Sequence, residues 1–354
     1  MERSISLQLA AEGASVPLAT DLILREKADP DAVLLDGVAL GELFAQAAER
    51  YRTPLALPVM DLELEKQYLL KLLSVPVEQR PAYHFRNCPG MGALDTLRSR
   101  VNDPLTPRMQ AMADAVAHIA ASTELIPVGM CIGPFSLMTK LVKDPILPIA
   151  LAAGGVAADE DPQIRLVEEC LELATRTILR YADAQIKAGA RLLFVAEPAA
   201  NAVYLSPRMI GAGSDIFDRY VMRPNMRLRS LLAAWDVGLV FHCCGELTDH
   251  MVARFATLEP EMLSLGSSRK LWEDATIVPD HIVLYGNLPS KRFYSDSELS
   301  CEQVVEAAIE LRERMRGSGH PFILGTECDV LSVPGCHETI AAKVEALLGV
   351  TVGA

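Results

Sequence analysis

Between Phe241 and Glu246 the chain reads FHCCGE, a histidine and two adjacent thiols placed where an apolar run ends and a glycine breaks it. If that run is a strand, His242 and Cys244 project to one side and Cys243 to the other, because side chains alternate across a pleated backbone. An imidazole and a thiol on one face, joined by Cys328 from the later stretch FILGTECD, would make a set of two sulfurs and one nitrogen. That is the ligand count of a catalytic zinc centre with its fourth position open. Zinc keeps thiolates deprotonated at neutral pH and lowers the pKa of an incoming thiol, which generates a nucleophile. Two other readings stand beside this one. Free cysteine is among the most buried residue types, so all three residues can be plain core. A redox pair is the third reading, opposed by the geometry of vicinal cysteines on a strand and by the lack of a Cys-x-x-Cys spacing.

Further polar residues fall at the ends of apolar runs. Glu197 in AEPA and Asp61 in MDLELE can each be a metal ligand, an acid or base, an anchor for substrate, or the cap of the next helix. Gly133 opens GPFS, a tight turn that lets backbone approach a ligand. Strict alternation turns Glu327 away from Cys328, which leaves it outside the candidate ligand set. Cys243 reads as core or as support for its neighbours, and Cys88, Cys131, Cys170, Cys301 and Cys336 as structural.

What must position these residues is a set of strands. Eight runs qualify: 53–61, 81–85 (the weakest), 126–135, 191–199, 238–246, 261–268, 281–289 and 321–329. Amphipathic segments separate them, the clearest being QIRLVEECLELATRTILRYADAQIKAGA, whose apolar residues recur at three- and four-residue spacing until Gly189 stops it. Alternating strands and helices specify an α/β fold around a parallel sheet. Eight such units predict a (β/α)8 TIM barrel over 53–350, preceded by helical decoration over 1–52, in a single domain of 354 residues. A doubly wound sheet is the alternative, but no Gly-x-Gly-x-x-Gly follows the first strand. Barrel active sites collect at the C-terminal ends of strands, where Asp61, Glu197, His242, Cys244 and Cys328 all fall. The strand tops share one mouth roughly 10 Å across, so β-strands on opposite sides can contribute to one site.

Composition excludes several classes. The formal net charge of -13 opposes a nucleic-acid backbone as partner, since such binders concentrate Lys and Arg. The first thirty residues mix charges among apolar positions, without a signal-peptide core or a membrane-length apolar run. A cytoplasmic protein with a small-molecule or protein partner is expected. Eight cysteines in so long a chain are too few for a disulfide scaffold.

Four stretches in order, VGMCIGPFSLMTKLV, YADAQIKAGARLLFVAEPAA, LVFHCCGE and FILGTECDVLSVPGCHETIAAKVEAL, resemble the uroporphyrinogen decarboxylase superfamily. More narrowly they resemble its zinc-dependent cobalamin methyltransferase branch, which includes methylcobalamin:coenzyme M methyltransferases. The resemblance covers roughly Arg52 to Leu348, and its most specific part is His-x-Cys-Gly with the late Gly-x-x-Cys-Asp. It implies that His242, Cys244 and Cys328 bind zinc, that Asp61 and Glu65 match the acidic pair of the first strand motif, and that methyl passes between a corrinoid and a small donor or acceptor. Without an Asp-x-His-x-x-Gly signature, cobalamin would be presented by a separate corrinoid protein. On this reading Glu197 is a fourth ligand or acid/base group, Asp61 orients substrate, and Gly133 contacts it. The decarboxylase proper is the runner-up, although its Arg-rich RQAGR-type segment is absent before the first strand. A non-catalytic zinc-binding subunit of a corrinoid complex is the alternative from another class. The methyl donor or acceptor (coenzyme M, tetrahydrofolate, a methoxylated or a methylamine compound), the direction of transfer and a homodimeric state stay open.

Overall fold

Strands buried on both faces have no need of polar alternation, which is why continuous apolar runs become the sheet of this protein. The computed structural model describes residues 2–100 and 102–350. Within them lie β1 (Ser15–Val16), β2 (Leu55–Ala56), β3 (Ile126–Ile132), β4 (Leu192–Ala196), β5 (Gly238–Cys243), β6 (Met262–Leu265), β7 (Val283–Leu288) and β8 (Phe322–Thr326). They form one parallel sheet in the order β1-β8-β7-β6-β5-β4-β3-β2. The sheet curls until its two edges approach. Val16 and Leu18 from one edge, and Leu55 and Leu57 from the other, join a single interior cluster with Val128, Phe194, Val240 and Tyr285. Across the seam the Thr20 hydroxyl donates to the Leu57 carbonyl at 2.9 Å. This is the (β/α)8 barrel-like fold, with helices outside it.

A second apolar cluster fills the space between sheet and helices and takes Phe241 and Cys243 from β5, while Val240 of the same strand faces the interior. The alternation expected for FHCCGE is therefore real. The helix Pro162–Lys187 begins at Asp161, whose carboxylate accepts from the Gln163 and Ile164 amides, and is followed by Gly189 at φ 100°, a left-handed position that glycine takes without strain. The helix Cys301–Ser318 starts with a reciprocal capping box between Ser300 and Gln303. Helix α1 (Glu2–Ala11) sits at the N-terminal end of the barrel, where Leu9 enters the interior cluster. No described helix is long and apolar enough to cross a membrane.

Two expected strands need correction. The first strand of the barrel is β1, inside the segment 1–52 read as helical decoration, so Thr53–Asp61 supplies the second strand and only Leu55–Ala56 of it pairs. Two paired residues next to a proline carry no period, and β1 is defined by its register on Leu324 and Gly325. Residues 81–85 form no strand. Phe85 makes one isolated bridge to Val142 in the long connection between β2 and the helix Pro107–Ser122, where no sheet edge is available.

Candidate metal centre

β5 carries the first ligand. His242 is the last inward-facing residue of the strand, 1 % exposed, its ring lying above Phe194 of β4 with centroids 5.5 Å apart. Its Nδ1 is 2.8 Å from the Ser264 hydroxyl on β6. With Nδ1–H donated there, Nε2 presents a lone pair, and Nε2 is buried with no hydrogen-bond partner. A buried nitrogen left in that state is costly unless something binds it.

Cys244 follows on the first residue past β5. Gly266, at the end of β6, lets the next loop pass close by: a Cβ there would meet the Cys244 carbonyl oxygen at 2.8 Å. Cys328 arrives from the bend after β8. One ligand atom from each of His242, Cys244 and Cys328 lies within 4.8 Å of the others. The two thiols share a proton. A hydrogen bond from Cys328 holds the Cys244 thiol down to about 3 against burial, with His242 and the Lys291 ammonium helping. The same bond, with burial, pushes Cys328 up. A histidine with an open nitrogen beside two thiols, one of them held toward its thiolate form, fits a soft divalent cation such as zinc.

Three loops are stapled around this set by a residue the sequence reading had set aside. Glu327 accepts from the Ser267 amide at 3.2 Å and hydroxyl at 2.7 Å, and from the Lys291 amide at 3.4 Å, joining the ends of β6, β7 and β8 beside Cys328. The half-exposed Lys291 ammonium lies 3.7 Å from the same carboxylate. Ser264, Glu327 and Lys291 were not found by sequence reasoning. No motif marks them, since their roles follow from which strands are neighbours.

The other candidates sit elsewhere. Glu197 is wholly buried, but its oxygens accept from the Phe135 amide at 2.9 Å, the Ser136 amide at 3.0 Å and the Asn225 side chain at 3.1 Å. Burial raises its pKa while those donors oppose the rise. It lies outside the His/Cys/Cys set and ties β4 to the start of the helix Pro134–Leu141. Gly133 serves that contact: a Cβ would come within 1.9 Å of a Glu197 oxygen, so its missing side chain makes room for the carboxylate. Asp61 accepts from the Glu63 amide at 3.0 Å and pairs with Arg108 at 3.4 Å, closing a turn just ahead of the helix Leu64–Leu72, whose N-cap is Glu63. Glu65 is the more unusual acid. Buried completely, it accepts from the Ile132 amide at 3.1 Å through one oxygen, leaves the other without a partner, and is pushed up to about 8 by burial. Cys243 is buried against the outer cluster and its thiol reaches only the Ala200 carbonyl at 3.8 Å. Cys131 and Cys170 are also buried, and burial raises both thiols.

Comparison with known proteins agrees with this architecture. The uroporphyrinogen decarboxylase (URO-D) family model matches residues 84–347. A curated relative, methylcobamide:CoM methyltransferase MtaA of Methanosarcina barkeri, is 28 % identical over 129 residues, 35 % of this chain and 34 % of that one. The match thus spans about a third of the relative's length. A solved methyltransferase structure from Methanosarcina mazei superposes with a TM-score of 0.66 at 18 % identity, covering 98 % of both chains, which speaks to the fold.

Proposed function

The chain belongs to the uroporphyrinogen decarboxylase family, and from that premise we propose that it is a zinc-dependent methyltransferase working between a corrinoid carried by a partner protein and a small molecule. The single observation that carries the proposal is the His242, Cys244 and Cys328 set, with its partnerless imidazole nitrogen and shared thiol proton. The partial likeness to a methylcobamide:CoM methyltransferase supports the same reading.

Zinc held by these three residues would supply a Lewis acid with one exchangeable position, lowering the pKa of a thiol or polarising the heteroatom that bears the methyl group. The chain's own residues prepare that position. Ser264 selects the His242 tautomer that leaves Nε2 free. The hydrogen bond from Cys328, with His242 and Lys291 nearby, favours the thiolate form of Cys244. Glu327 holds the loops that carry Cys328 and Lys291 at a fixed spacing, and the Lys291 ammonium adds positive potential beside the thiols. Glu197 and Asp61 act by positioning backbone, the first through the Phe135–Ser136 turn and the second through the Asp61–Glu63 turn. The corrinoid is supplied by a partner, and the small molecule is a thiol, tetrahydrofolate or a methylated compound, as acceptor or as donor.

Elemental analysis of the wild type beside a His242→Ala, Cys244→Ala, Cys328→Ala variant tests this. We expect about one zinc per chain in the wild type, none in the variant, and methyl transfer from methylcobalamin to a thiol only in the former. A wild-type protein purified without chelators that holds no stoichiometric metal would sink the proposal and favour cofactor-free decarboxylation.

A further inference from the structure

At the opposite end of the barrel a cavity of about 400 Å³ lies between α1, the turn before β1, the start of β8 and the helix Cys301–Ser318. Its wall is largely apolar, with Leu7, Ala10, Met315 and Phe322, and among the described residues no carboxylate lines it. Two guanidinium groups do, Arg312 and Arg316. Arg312 donates through Nη2 to the Gly13 carbonyl at 2.9 Å and the Ser15 hydroxyl at 2.8 Å, whereas its Nε is buried with no partner. Arg316 stands one helical turn on and makes no ion pair or side-chain hydrogen bond among the described residues.

Like charges four residues apart on a helix repel, and a buried donor without an acceptor is destabilising. Burial and the neighbouring Arg316 both act to lower the Arg312 pKa. Other part-buried arginines find full partners, acids for Arg269 at Asp274 and Asp249, and backbone carbonyls for Arg180 at Arg100 and Asp103. His320 also lines the cavity but turns its ring nitrogens to the Pro321 and Val278 carbonyls, at 3.0 and 3.2 Å, so charge recognition falls to the arginines.

We propose that this cavity binds a phosphate monoester with a compact apolar body, the phosphate against the Arg312 and Arg316 guanidinium groups that line it and the body against Leu7, Ala10 and Phe322. Guanidinium forks match phosphate oxygens in pairs, and the volume is at the small end of ligand cavities. The site is remote from the strand tops where barrel chemistry occurs, so its occupant acts on stability. Bound there, it ties α1 and the turn before β1 to β8, and it raises the melting temperature because it binds only the folded chain.

Calorimetric titration and thermal melting of the full chain with phenyl phosphate and with inorganic phosphate test the assignment. Saturable binding of both is expected, tighter for phenyl phosphate, with a rise in melting temperature. Arg316→Gln, at an exposed residue without structural contacts, should fold normally and weaken both ligands by about tenfold or more. Arg312→Lys, which keeps a donor toward Ser15, should weaken them while leaving zinc content unchanged. No heat and no thermal shift at roughly 10 mM ligand, or affinities untouched by Arg316→Gln, would overturn the proposal. Equal affinity for the two ligands would overturn its apolar-body part.

Discussion

Two polar clusters share the C-terminal end of the barrel and differ in what they leave unpaired. In the first, the ligand atoms of His242, Cys244 and Cys328 converge within 4.8 Å, and His242 Nε2 is buried without a partner. In the second, Glu197 is buried just as deeply, yet both carboxylate oxygens receive donors from the Phe135–Ser136 turn and Asn225. Both look like chemistry in the sequence, because both put polar residues at strand ends. The satisfied carboxylate is an architectural anchor, while the imidazole keeps a buried nitrogen available as a ligand. Polar satisfaction separates the two more cleanly than burial or position does.

The comparison breaks most visibly at Glu197. Glu197→Ala strips the acceptor from three buried donors at about 1–3 kcal/mol each, so chemical denaturation should show a loss of roughly 3 kcal/mol or more with zinc stoichiometry unchanged. Loss of zinc at full stability would reverse the assignment and make Glu197 a ligand. Glu197→Gln, which keeps an acceptor oxygen, should recover most of the stability.

A smaller effect sharpens the metal side. Ser264→Ala frees His242 to choose either tautomer and should weaken zinc binding by about 10- to 100-fold in a chelator competition, while the melting temperature of the metal-free protein stays close to wild type. Unchanged affinity would mean that Ser264 does not orient the ring.

The smallest change per step concerns Glu65, which stands between the two cases with one oxygen engaged and one free. Its folded-state pKa of about 8 is above the ordinary 4.5. Below pH 4.5 both folded and unfolded chains hold the proton, and this group's stabilising contribution is fully present. As pH rises toward about 8 the unfolded chain has released a proton that the folded one keeps, and stability falls. The slope is at most about 1.4 kcal/mol per pH unit. Glu65→Gln, which can still accept from the Ile132 amide, should flatten stability over that window. An identical slope in the variant would show that another group titrates there.

Much of this organisation was legible in the chain. Continuous apolar runs marked seven of the eight strands, Gly189 marked the end of the longest helix, and the alternation in FHCCGE separated His242 and Cys244 from Cys243. These are local properties, set by backbone geometry and side-chain period within a few residues. β1 was missed because two paired residues have no period, and 81–85 was over-read because an apolar segment pairs only where a sheet edge is free.

The sequence by itself determined which residue types stand at the strand ends and which face each one takes, because alternation and helical period are properties of the chain alone. Which of those residues meet was decided by the curled sheet. Neighbouring strands put Ser264 against His242, and the bends after β6, β7 and β8 let Glu327 clasp Ser267 and Lys291 beside Cys328. The same curling turned Asp61 and Glu197 to backbone amides and left one imidazole nitrogen with nothing to bind. Hydrogen-bond satisfaction is a sum over every element that packs around a group, so it exists only in the folded molecule.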